Sequence, residues 1–331
     1  MEQLTIKGLN LSECFYKEAV KPMLAQRFPA LCDTLAAGLA GHGSECYGYD
    51  DACSTDHDYG AGVCIWLTET DFERYGAAVQ AAYEDTAAAW ERTALERYKI
   101  PARRISAQGA GRVGVLEIGA FYYGILGTDR LPQTNREWLA LPPERLSAAT
   151  NGRVFEDHAG VFSMMRDGLL AYYPEDVRKK KMAACAAIMA QGGQYNYARC
   201  MKRGEYLAAE LAISEFVRAA CSLVYLLNRK FCPFYKWMHR GLKDMTALSE
   251  IGDMLMLLTD VTDSKQKWQT GQGQADGRLL IIEAVCQVIA QELHAQGLTA
   301  TDDTYMEAHA EELLLSIEDE ELRSMHILRD S

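Results

Sequence analysis

Residues 63–67, VCIWL, form a short β-rich run entered through a very different stretch, GHGSECYGYDDACSTDHDYGAG, at residues 41–62. That entry stretch holds five acids (Glu45, Asp50, Asp51, Asp56 and Asp58) and five glycines, at 41, 43, 48, 60 and 62. A second β-rich run, VGVLEI, lies at 113–118, and the intervening 70–98 is Ala-rich with helical spacing. Upstream, 11–40 reads as helical in two pieces broken near Phe28-Pro29, with Ser12 able to cap the first. Helix, strand, helix, strand is the grammar of a small α/β domain.

The remainder has another character. Residues 129–147 hold three of the eight Pro and read as a hinge or short-helix connection. Beyond about 155 the strand signals fade, and 176–194, 203–230, 243–265, 276–296 and 302–318 show helical periodicity. A polar, Gly-rich loop interrupts them around 267–277, and the acidic EAHAEELLLSIEDEELRSM reads as an amphipathic final helix. The expected fold class is therefore α/β (α+β): a small mixed sheet with helices over 1–128, then a helical bundle over 129–331.

With 331 residues, 49% of them hydrophobic, the chain has material for a sizeable core and, by length, for two domains. The net charge of −12 argues against binding long nucleic acid, which needs many cations against phosphates. It suits a cationic partner or a small polar substrate. The first twenty residues carry no apolar core flanked by basic residues, and no run of about 18 apolar residues follows, so neither signal peptide nor membrane helix is expected. The ten Cys include no Cys-x-x-Cys and read as reduced thiols of a cytoplasmic protein.

Asp56-His57-Asp58 is the chemically suggestive part of the entry loop. In extended backbone, residues two apart share a side, so Asp56 and Asp58 present two carboxylates together while His57 turns away. Two such groups repel unless a cation or proton neutralises them, and Mg²⁺ takes oxygen ligands in the company of substrate phosphates. Eleven residues separate the upstream Gly43-Ser44 from Asp56; there a glycine lets backbone approach a phosphate and the serine adds donors. Glu117 is the sole acid in VGVLEI and is the candidate third ligand. Each piece has a plainer reading: Asp-x-Asp in a surface turn, and Glu117 pointing to solvent from an edge strand.

Together, Gly43-Ser44, Asp56-His57-Asp58 and Glu117 resemble the signature of the polymerase-β-like nucleotidyltransferase superfamily. The stretches GSECYGYDDACSTDHDYG, VFEDHAGVFSMMRDGLLAYYPEDV and LVYLLNRKFCPFYKW look like an uncharacterised bacterial family carrying that domain and a helical domain of unknown function. The likeness covers about 8–245. The chain departs from the pattern in a long Gly-Ser to Asp spacing, and in Ser54, which is separated from Asp56 by Thr55. The resemblance implies transfer of a nucleoside monophosphate from a nucleoside triphosphate, ATP among them, to a small-molecule or protein acceptor, with pyrophosphate released. Asp56, Asp58 and Glu117 would hold Mg²⁺ (or Mn²⁺), and Gly43 and Ser44 the β- and γ-phosphates.

In such enzymes the helical domain supplies further contacts. Candidates for the nucleotide are Asn228, Tyr235 and Lys236, in LLNRKFCPFYKWMHR, with Arg178, Lys179, Lys180, Lys181, Lys202 and Arg203 behind them. The plainer reading of 178–181 is a solvated helix face, and Phe231, Phe234 and Trp237 need be nothing but core. Glu205, Glu210 and Glu215 compete as general base, and His57 and His158 read as hydrogen-bonding residues. The alternative to an enzyme is a non-catalytic nucleotide-binding or interaction protein that keeps the fold. Retention of all three acids speaks against it. An oligomer is compatible with the sequence, and the helical half as an oligomerisation module is a third reading.

Overall fold

The computed structural model describes residues 6–55, 60–98 and 111–328. It is a mixed α+β protein with a helical C-terminal region, divided into two compact units. The first unit comprises 1–131 and 145–171; the second comprises 132–144 and 172–331. Residues 145–171 thus belong with the sheet and not with the helical part, which moves the division away from 128/129.

In the first unit, strands β1 (Ala36–Leu39), β2 (Cys64–Leu67), β3 (Gly114–Glu117) and β4 (Arg153–Asp157) form one sheet in the order β3-β2-β1-β4. β1 runs antiparallel to both β2 and β4, whereas β2 and β3 are parallel. That parallel pair requires a crossover, supplied by the long helix Glu69–Tyr98. Every residue of β2 is buried, which is why VCIWL shows no alternation: both faces of the sheet are covered. Ile65 and Leu67 join a core with Phe15, Val20, Leu24, Val79 and Tyr83 from the helix Gly8–Phe15, the π segment Tyr16–Val20 that continues it, and the helices Lys21–Arg27 and Glu69–Tyr98. On the other face Trp66 stacks on Phe162, ring centroids 3.8 Å apart, with Phe121 edge-on at 5.4 Å.

Two expectations are corrected here. The second helical piece of 11–40 is instead a short 3₁₀ turn, Pro29–Leu31, followed by β1. Ala-Ala-Gly-Leu favours helix locally, but the sheet needs small residues at this place. A Cβ on Gly38 would lie 2.4 Å from the Arg153 carbonyl oxygen and 2.9 Å from the Trp66 ring. Packing therefore overrides propensity. β4, the strand beside it, lies in a stretch with faint strand signals because its burial is only partial.

The second unit is built of helices, among them Glu175–Met189, Tyr206–Leu227, Ile251–Asp260, Gly277–Ala295 and Met306–Leu315. The first runs on through a π segment, Ala190–Tyr197. Among the described residues no helix is long and apolar enough to cross a membrane.

Candidate functional site

β1 ends at Leu39 and the chain enters the Gly41–Ser44 turn with φ of +109° at Gly41 and +129° at Gly43, values that favour glycine. A side chain at Gly43 would also have to displace the Arg112–Glu45 ion pair. A Cβ there would lie 2.1 Å from an Arg112 guanidinium nitrogen and 2.5 Å from both Glu45 carboxylate oxygens. Arg112 pairs with Glu45 at 2.5 Å and also donates to the His42 carbonyl, so an ion pair braces the turn across its outer edge.

From behind, Asn151 grips the Gly41 peptide. Its Oδ1 accepts from Gly41 N at 2.8 Å and its Nδ2 donates to Gly41 O at 2.7 Å. Arg166 holds the Asn151 carbonyl at 2.7 Å, and Gly152 N donates to Cys46 O at 2.8 Å. Gly152 comes so close to β1 that a Cβ would fall 1.9 Å from the Leu39 carbonyl oxygen. Sequence reading missed Asn151. The one available signal was Asn-Gly, an ordinary turn dipeptide.

Ser44 leads into a 3₁₀ turn, Glu45–Tyr47, and its carbonyl accepts from Tyr47 N and Tyr49 N at 3.2 and 2.9 Å. Its hydroxyl enters no hydrogen bond among the described residues. The turn borders a cavity of about 240 Å³ whose other walls include Arg112, Leu116, Phe121 and Ile125. Cys64, just behind, is buried, and burial pushes its thiol up to about 12, so it remains protonated at neutral pH.

Asp50 is fully buried and accepts from Gly8 N at 2.8 Å, with the Lys7 ammonium 3.9 Å from its other oxygen. It ties the loop to the first helix. Glu117 stands at the N-cap of the helix Ile118–Leu126. Its carboxylate accepts from Gly119 N at 2.7 Å and Ala120 N at 2.5 Å, where the helix dipole also favours a negative charge. The register pairs Glu117 with Leu67, at the C-terminal end of β2. Asp56 and Asp58 precede the N-terminal end of β2 in sequence and lie outside the described residues, as does His57. Among the described residues no group of three His, Cys, Asp or Glu could hold a metal ion.

In the helical unit, Arg178–Lys181 is not a solvated face. Arg178, Lys180 and Lys181 are 3%, 1% and 7% exposed. Each of the four cations donates to a carbonyl at the C-terminal end of a different helix. Arg178 takes Leu226 O at 2.9 Å, Lys179 Ser316 O at 2.8 Å, Lys180 Met325 O at 2.7 Å and Lys181 Leu139 O at 3.2 Å. Helix C-termini expose unpaired carbonyls and partial negative charge, so this run gathers the bundle by meeting both needs.

Asn228 is likewise engaged in the fold. Its amide donates to Val224 O and Ala247 O at 2.8 and 2.9 Å, and its oxygen accepts from Thr246 N and Ala247 N at 3.1 and 2.9 Å. Both amide hydrogens are used, which leaves it no donor for a nucleotide. Tyr235 is 68% exposed, and the exposed Lys236 carries its ammonium 4.4 Å from the Trp237 ring centroid. Both remain open to solvent. Glu210 pairs with Arg278 at 2.5 Å, and His158 pairs with Glu156 at 2.7 Å.

Residues 138–238 match a family described as Domain of unknown function (DUF4037). No curated protein and no solved structure matches the chain.

Proposed function

We propose that this chain is a Mg²⁺- or Mn²⁺-dependent nucleotidyltransferase that moves a nucleoside monophosphate from a nucleoside triphosphate to a small-molecule or protein acceptor, releasing pyrophosphate. The observation that supports it most is the Gly41–Ser44 turn. A backbone with glycine at its two positive-φ positions is clamped by Asn151 on one side and braced by Arg112 on the other, with the Ser44 hydroxyl uncommitted among the described residues. Such a turn offers amides and a hydroxyl at fixed positions to the β- and γ-phosphates. Its cost in conformational freedom is already met before the ligand arrives.

When bound, the divalent ion supplies neutralisation of charge growing on the transferred phosphate. In this reading Asp56 and Asp58 hold it, and Glu117 either completes the set or keeps to its cap. Lys236 and Tyr235 are the solvent-exposed candidates for a phosphate and a base. A nucleotide-binding protein without turnover is the second reading, favoured by Glu117 already accepting two backbone hydrogen bonds.

The test is pyrophosphate release from each nucleoside triphosphate with Mg²⁺ or Mn²⁺ and a cell extract as acceptor source, for the wild type and for Asp56→Ala/Asp58→Ala. Release that the double substitution abolishes supports transfer. Binding of the triphosphate without release, across a broad acceptor set, supports the second reading.

A further inference from the structure

The helical unit holds two adjoining cavities, of about 460 and 70 Å³, which share Pro143, Lys181, Ser222 and Cys232 as common walls. Tyr173 lines the smaller one. It is 3% exposed, and among the described residues its hydroxyl has no hydrogen-bond partner. A buried hydroxyl left unsatisfied is costly, so native proteins seldom keep one without a use for it. Burial holds its pKa well above the ordinary tyrosine value, so it stays an O–H donor. The Lys181 ammonium, also buried, lies 5.5 Å from the Tyr173 ring centroid at the shared wall. Arg218 lines the larger cavity and enters no hydrogen bond or ion pair among the described residues. Glu144 lines it too, leaving one positive charge in excess over Lys181 and Arg218.

We infer that the two cavities form a binding site for a small carboxylate with an apolar body, the carboxylate at the Lys181–Tyr173 neck and the body in the larger chamber. One ammonium and one hydroxyl match a planar monoanion. A dianionic phosphate would leave a second charge among apolar walls, where burying it is costly. The larger chamber is walled by Leu139, Leu141, Pro142, Phe234 and Met238, which suits a ring or a short branched chain. The residues named here lie outside the Gly41–Ser44 turn; Tyr235, the candidate for a nucleotide base, also lines the larger chamber, but benzoate carries neither base nor triphosphate, so the titration below reads this site apart from that role.

The experiment is calorimetric titration of the full chain with benzoate, phenylacetate and 4-methylpentanoate, with benzyl alcohol and phenyl phosphate as controls. At least one carboxylate should bind at millimolar concentration or below, more tightly than either control. Tyr173→Phe removes an unpartnered hydroxyl, so its Tm should equal or exceed that of the wild type. Its affinity for the carboxylate should fall about tenfold, the worth of one buried hydrogen bond. Arg218→Ala, at an exposed position, should weaken binding by a smaller factor without loss of fold. The inference is overturned if no carboxylate binds, if benzyl alcohol or phenyl phosphate binds as well as benzoate, or if Tyr173→Phe binds as the wild type does.

Discussion

Asn151 holds the Gly41 peptide by both of its polar groups, accepting from the amide at 2.8 Å and donating to the carbonyl at 2.7 Å. Residues far apart in sequence are thereby locked at the end of β1, where the candidate phosphate turn begins. Asn151→Ala removes both bonds and should lower stability by about 2 kcal/mol, a fall in Tm of roughly 4–8 °C for a unit of this size. Asn151→Asp keeps the acceptor but sets a carboxylate against the Gly41 carbonyl, so it should be no better than Ala. Thermal unfolding of the two variants checks this; an Asp variant as stable as the wild type contradicts it.

The cations of 178–181 should rank by burial. Arg178 joins Leu226 O, Glu175 and Gln296 from a position 3% exposed. Arg178→Met strands these partners and should cost about 3 kcal/mol. Lys179, half-buried with Ser316 O as its partner, should cost less than about 1 kcal/mol on replacement by Ala. Urea unfolding of the two variants gives the order directly, and equal losses would refute the capping role.

Asp276 is fully buried and accepts from Tyr197 Oη at 2.5 Å, Ser264 Oγ at 2.6 Å and Trp268 Nε1 at 2.8 Å. Burial pushes its pKa up, but these hydrogen bonds outweigh it and hold the carboxyl below its ordinary value of 3.8. Because the folded pKa is the lower one, its stabilisation is complete above the ordinary Asp range and is lost as pH falls through the folded value. Asp276→Asn should therefore be destabilised by about 3 kcal/mol at neutral pH, with the gap to the wild type closing below pH 3.8. Tm measured against pH for both proteins tests it; a gap constant down to pH 2 would contradict it.

Glu117 separates a cap from a ligand. Glu117→Gln keeps one accepting oxygen but loses the charge and one bond, which should cost about 1 kcal/mol at the helix terminus. If the carboxylate also serves metal, transfer should fall at least about a hundredfold while Tm moves only a few degrees. Full transfer by Glu117→Gln would leave Glu117 as a cap alone.

Much of the architecture was legible. VCIWL and VGVLEI gave β2 and β3, the Ala-rich 70–98 the crossover helix, and helical periodicity the second unit. Ala36–Leu39 was misread because its local preference is helical, while the neighbours that demand a small residue at Gly38, among them Arg153, Val154 and Trp66, are distant in sequence. Arg153–Asp157 hid because partial burial leaves a weak pattern. At the candidate site, Gly43 could be singled out from its residue type and setting. Asn151 could not, since its role exists only through a contact across more than a hundred positions. Charge misled at 178–181, where four consecutive cations look solvated until four helix ends converge on them.

The central claim concerns which phosphate moves. Incubating the protein with a nucleoside triphosphate labelled at the α-phosphate, and separately at the γ-phosphate, with Mg²⁺ and a cell extract, measures it directly. The account predicts acceptor labelling from the α-position alone, abolished in Asp56→Asn and in Asp58→Asn. Label appearing from the γ-position, or α-label transfer undiminished in both variants, would contradict it.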